Sequence, residues 1–127
     1  MKTNHFLLAM LLLLSANVWN LNAQEDKKVT AYCYVTCTGD LLPVFYTDVF
    51  SVQRDEDNQR YSTDISNEFN DALKLASPKN YYKYKYPIVW MFDKVSDAEK
   101  HKRESLGEYK SKEREIRYIR FTFYGDK

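Results

Sequence analysis

Glycine is scarce, with three residues in 127. That excludes collagen-like and glycine-rich linker sequence. Gly39, Gly107 and Gly125 stand far apart, so no glycine-rich phosphate loop exists. A charge excess is missing too: 19 Lys and Arg face 18 Asp and Glu. Without a basic surplus the chain has no broad attraction for nucleic acid or an anionic membrane. Histidine and cysteine number two each. Cys33 and Cys37 form no CxxC pair, and only His101 lies beyond the amino-terminal segment to join them, so no metal site is expected. A Ser–His–Asp or Cys–His arrangement would also have to use His101. It stands among Lys100, Lys102 and Arg103 and reads as an exposed helix histidine. The acids show no spacing that marks out a catalytic pair. The expectation is a protein that is not an enzyme and carries no cofactor.

What the chain does have is aromatic surface. Phe, Trp and Tyr make up 16% of it, and eleven are tyrosines. Such a chain has ample area to bury and is not disordered in character.

The first 23 residues are set apart from the rest. Met1-Lys2 is a short positive start, Phe6–Leu14 is an apolar core of nine residues, and Ser15-Ala16-Asn17 follows. This is the pattern of a secretory signal, too short to cross a ~30 Å hydrocarbon layer. Cleavage is expected after Ala23, leaving residues 24–127 as one domain. Removing Lys2 leaves eighteen basic and eighteen acidic residues, a net charge of zero. No later apolar run approaches ~20 residues, so no membrane span is expected after processing. The expected address is periplasmic or secreted. In such a compartment a Cys33–Cys37 disulfide is possible. Residues four apart in a straight strand lie ~13 Å apart, whereas a bridge needs Cα atoms within ~7 Å. A bridge therefore requires a turn between Tyr34 and Thr36. The alternatives are two buried thiols on one strand face, or an intermolecular link.

The element pattern is read from periodicity. Val29–Thr36 is β-branched and aromatic and predicts a strand, with a turn at Thr38-Gly39-Asp40. Pro43–Val52 predicts a second strand, with Val44, Tyr46, Phe50 and Val52 on one parity. Arg54–Arg60 is a polar loop; it lacks the Gly and Glu an EF-hand would need at Arg60 and Ser66. Ser62 or Asp64 caps a helix whose apolar face is Ile65, Phe69, Ala72, Leu73 and Ala76, stopped by Ser77-Pro78. Ile88–Phe92 is a continuous apolar run, hence a central strand buried on both faces. Ser96 with Glu99 is a capping box opening a helix from Asp97 to about Lys112, weakened at Gly107. Glu115–Tyr124 returns to alternation, with Ile119, Phe121 and Phe123 on one parity. The expected fold is α+β, in the order β-β-α-β-α-β. Two helices pack on one face of an antiparallel sheet, a ferredoxin-like arrangement.

Between the first helix and the central strand lies the candidate binding segment. Tyr82, Tyr84 and Tyr86 alternate with Lys83 and Lys85. Turned outward, flat tyrosine faces with adjacent positive charge suit stacking on sugars or capping a protein interface. In a straight strand the same tyrosines share parity with Ile88, Trp90 and Phe92. They then belong to the core face, with the lysines guarding an edge.

Residues 88–123 resemble the second half of a SPOR (sporulation-related repeat) domain. The resemblance is carried by an apolar strand ending in Phe92, an Asp-Lys-Val-Ser turn, Asp97-Ala98-Glu99-Lys100 opening a helix, and a closing strand at Ile116–Phe123. Met91 stands where the family usually has Gly. The resemblance implies a four-stranded antiparallel sheet with helices on one face, an exported address, and binding of peptidoglycan glycan strands. The leading expectation is an exported, non-enzymatic binding domain for an envelope glycan or envelope protein. The alternative is an inhibitor or immunity-type protein against an exported toxin or hydrolase.

Overall fold

The computed structural model describes residues 28–55 and 60–123. The leader-like segment, the cleavage point expected after Ala23 and the centre of the polar loop lie outside the described residues. The fold is α+β, a mixed sheet of five strands with two helices. The strands are β1 (Lys28–Cys37), β2 (Val44–Tyr46), β3 (Phe50–Asp55), β4 (Ile88–Phe92) and β5 (Ile116–Tyr118). The helices are α1 (Arg60–Ala76) and α2 (Val95–Ser111).

β1 is the spine of the sheet. β4 pairs antiparallel along one of its edges, from Tyr32–Phe92 to Thr36–Ile88. β3 and β2 share the other edge end to end, also antiparallel. β5 lies outside β2 and runs parallel to it. The run expected as one strand over Pro43–Val52 is therefore two, because the register slips by one residue. Thr36 sits opposite Tyr46, yet Cys33 sits opposite Phe50. An extra residue in one strand is a β-bulge, and it reverses which side chains face which way. Phe45, Phe50 and Val52 consequently share one core, whereas Val44 and Tyr46 turn to the opposite face.

Thr47 holds the bulge. Its amide donates to the Val35 carbonyl at 3.1 Å. Its Oγ1 accepts the Val35 amide at 2.9 Å and donates to the Asp48 carbonyl at 2.9 Å. Thr47 is fully buried, so removing the hydroxyl strands the Val35 amide away from water. Thr47→Val is expected to lower stability by about 1–3 kcal/mol, and Thr47→Ser by much less. Urea midpoints of the two variants check this.

The helices lie on opposite faces, not on one. Ile65, Phe69 and Leu73 of α1 pack against Ala31, Cys33 and Val35. α2 covers the other face, where His101 meets Tyr34, Trp90 and Phe92. Topology explains this correction. β3–α1–β4 crosses the sheet one way and β4–α2–β5 crosses back, each joining strands that run in the same direction. Crossovers of one hand travelling in opposite directions must occupy opposite faces, and right-handed crossovers are strongly preferred. The same geometry makes β5 parallel to β2. Both features depart from the one-faced antiparallel sheet that the resemblance implied.

α1 buries Ile65, Phe69 and Leu73 of the face its period predicts, with Tyr61 added to it, while Ala72 is half-buried and Ala76 is exposed. Phe121 packs edge-on to Phe69 and Phe50, and Phe123 edge-on to Tyr61. α2 starts at Val95, so Ser96 lies inside the first turn and caps nothing; Lys94 takes the N-cap position without a side-chain bond. Gly107 does not end the helix. The end comes at a Schellman motif: the Arg114 amide donates to the Tyr109 carbonyl and the Glu113 amide to the Lys110 carbonyl, both at 3.0 Å. Glu113 sits there at φ 57°, where glycine carries no steric cost. Glu113→Gly is therefore expected to raise stability by up to about 1 kcal/mol, read as a higher melting temperature. Arg114 Nη2 then donates to the carbonyls of Gly39 and Leu42, both at 2.9 Å, which ties the end of α2 to the β1–β2 loop.

Candidate functional site

The Tyr82–Tyr86 segment is not a strand. Tyr81–Lys83 forms a 3-10 turn after Asn80, and Tyr84 makes a single bridge to Gly39. The alternation is thereby broken. Tyr84 turns inward, packing on Phe45 at 5.5 Å and donating its hydroxyl to the Pro43 carbonyl at 2.7 Å. Burial raises its pKa. Tyr82 and Tyr86 point outward, 68% and 62% exposed, with Lys83 and Lys85 exposed beside them. Lys83 lies over the Tyr82 ring at 5.8 Å and Lys74 over the Tyr81 ring at 5.6 Å. The three tyrosines thus share no face, and four of the five candidate residues remain as surface.

Cys33 and Cys37 are free thiols, both buried on the α1 face of β1. The strand runs straight through them, so the turn a local bridge requires is absent. Burial pushes both thiols up to about 12. Cys37 Sγ donates to the Lys85 carbonyl at 3.2 Å.

A more organised site lies on the opposite face. Tyr34 of β1 is fully buried. Its ring stacks between Trp90 at 6.3 Å and Phe92 at 6.4 Å, because β4 sets Trp90 opposite Tyr34. His101 of α2 closes the cluster, 4.5 Å from the Trp90 ring and 5.1 Å from Phe92. The Tyr34 hydroxyl and His101 Nδ1 share a hydrogen bond of 2.5 Å. Burial pushes the Tyr34 hydroxyl up to about 12, while its bond with Ser105 acts the other way. Trp90 Nε1 donates to Thr36 Oγ1 at 3.1 Å, which anchors the indole to β1.

Above this floor runs an open groove of about 390 Å³. Trp90 forms its sheet side. His101, Ser105 and Tyr109 recur every fourth residue along the facing side of α2. Glu104, Glu108 and Lys112 recur likewise on its rim, and Lys112 pairs with Glu108 at 3.4 Å. The groove offers aromatic faces, a hydroxyl, an imidazole and carboxylates. These are groups that stack on and hydrogen-bond to a polyhydroxylated ligand. The histidine read as exposed is in fact half-buried at its heart. The signal that could have found it is the shared parity of Tyr34 and Thr36 on one strand with Trp90 and Phe92 on another.

Among the described residues no cluster of three or more His, Cys, Asp or Glu could hold a metal ion, and no helix is long and apolar enough to cross a membrane. Comparison with protein-family models, with curated proteins and with solved structures found no match.

Proposed function

We propose that this chain is an exported, non-enzymatic binding domain of the cell envelope that holds a glycan in the groove between α2 and β4. The observation that carries the reading is the facing of Trp90 with Tyr109, His101, Ser105 and the rim carboxylates along one cleft. Sugar rings present an apolar face to an aromatic side chain and an equatorial belt of hydroxyls to polar ones, and the groove supplies both partners. The leader-like residues 1–23 support the exported address. Because the sheet departs from the one the SPOR resemblance implied, the choice of peptidoglycan rests on that address and on the groove. The test is retention on purified, insoluble peptidoglycan. Tyr109→Ala and Glu104→Gln are expected to lower retention at least tenfold, while Tyr82→Ala with Tyr86→Ala leaves it unchanged. Equal retention of the groove variants and the unchanged chain overturns the reading.

A second reading, an inhibitor or immunity-type protein, draws on the exposed Tyr82, Lys83, Lys85 and Tyr86. Tyrosine is enriched at the centres of protein interfaces. In that case the Tyr82/Tyr86 double variant, and not the groove variants, loses a stoichiometric protein partner on co-purification.

A further inference from the structure

Three strands end the sheet, and they differ: β3 carries Arg54 and Asp55. The β5 edge is three residues long and carries Arg117. β4 is five residues, Ile88-Val89-Trp90-Met91-Phe92, with no charge among them. β4 pairs only with β1, and no backbone bond to its outer side is made among the described residues. None of its five side chains is fully buried, and Ile88 is 47% exposed. Free strand edges invite pairing and are ordinarily guarded by charge, proline or a cover. This one has only Pro87 at its start.

We infer that β4 is the dimer interface, pairing antiparallel with β4 of a second copy about a two-fold axis near Trp90. The flanking charges argue for a second copy in this orientation. Lys83 and Lys85 precede the strand, and Asp93, Lys94 and Asp97 follow it, so the leading end is positive and the trailing end net negative. All five are exposed. An antiparallel partner brings the lysine end of each copy to the aspartate end of the other, twice over, whereas a parallel partner would set like charge against like. Centring on Trp90 also sets Ile88 opposite Phe92 and Val89 opposite Met91, an apolar ladder complementary to itself. A two-fold relating antiparallel strands stands perpendicular to the sheet. Both α2 helices therefore share one face, and the two Trp90-lined grooves meet across the axis. The dimer does not depend on which ligand the grooves take.

The experiment is mass by light scattering and sedimentation across the micromolar to millimolar range, with circular dichroism on every variant to confirm folding. The unchanged chain is expected to reach twice the chain mass. K83D/K85D makes both ends acidic, and D93K/D97K makes both ends basic; each alone is expected to be monomeric. Mixed in equal amounts they are expected to return to the doubled mass. Ile88→Lys, which leaves the flanking charges intact, is expected to be monomeric alone and in any mixture. A monomeric unchanged chain, charge variants that stay dimeric, or a mixture that stays monomeric overturns the inference.

Discussion

Replacing Phe69 by alanine is expected to cost about 3–5 kcal/mol, the range for emptying a buried aromatic site. Phe69 is fully buried at the centre of α1. It packs 5.5 Å edge-on to Phe121, within the core that joins β1, β3, α1 and the carboxy-terminal segment. The cavity cannot close readily, because strands lie beneath it and the Phe121–Phe123 segment beside it. A domain of this size commonly has a total stability of only ~5–15 kcal/mol, so the variant stands near the edge of folding at 37 °C. Leu75→Ala on the same helix is the control. Leu75 is 86% exposed, and its loss is expected to change stability by no more than about 0.5 kcal/mol. Chemical denaturation of both variants measures the difference. A similar small effect for the two would show that α1 does not close the core.

The second large effect is alkaline unfolding. Cys33, Cys37 and Tyr34 are pushed by burial up to about 12. In the unfolded chain the thiols lose their protons near 9 and the phenol near 10. The unfolded state therefore releases protons that the folded state retains. Stability is complete below pH 9 and falls as pH rises from 9 through 12. Each group contributes at most about 1.4 kcal/mol per pH unit, and three groups acting together approach the whole stability of a small domain. Circular dichroism from pH 8 to 12 is expected to show cooperative unfolding in this window. Cys33→Ala with Cys37→Ala is expected to shift the midpoint upward relative to its own neutral-pH stability, because two of the three groups are gone. A thiol reagent at neutral pH makes an independent check. Two thiols are expected to react at least a hundredfold more slowly in the folded chain than in urea. Prompt modification of the folded chain, or a mass lower by two hydrogens under non-reducing conditions, would contradict two buried free thiols.

The extent to which the structure was legible in sequence follows from where each signal is stored. α1 is local: Ile65, Phe69, Leu73 and the Ser77-Pro78 stop lie within one periodic segment, and the helix forms there. The parity of Ile119, Phe121 and Phe123 is local too, and all three pack against the core, although the strand expected over Glu115–Tyr124 is formed only at Ile116–Tyr118. The bulge at Thr47 is not. Nothing in Pro43–Val52 announces an extra residue, because the compensation is a hydroxyl bonded to Val35, twelve positions away. The broken tyrosine alternation likewise depends on contacts with Gly39 and Pro43. The opposite placement of the helices is a property of crossover direction, which no single segment carries. His101 was the hardest to read. Its neighbours in sequence are Lys100, Lys102 and Arg103, and they describe an exposed helix. Its neighbours in space are Tyr34, Trp90 and Phe92, which describe a buried one.

The groove can be questioned directly through its own indole. Trp19 and Trp90 are the only tryptophans, and Trp19 lies in the leader-like segment, so a chain beginning at Gln24 carries Trp90 as the sole reporter. Titration with soluble peptidoglycan fragments is expected to give a saturable change in its fluorescence that Tyr109→Ala abolishes. An emission spectrum that stays the same at every fragment concentration, from a chain shown to be folded, would contradict glycan binding in the α2–β4 groove.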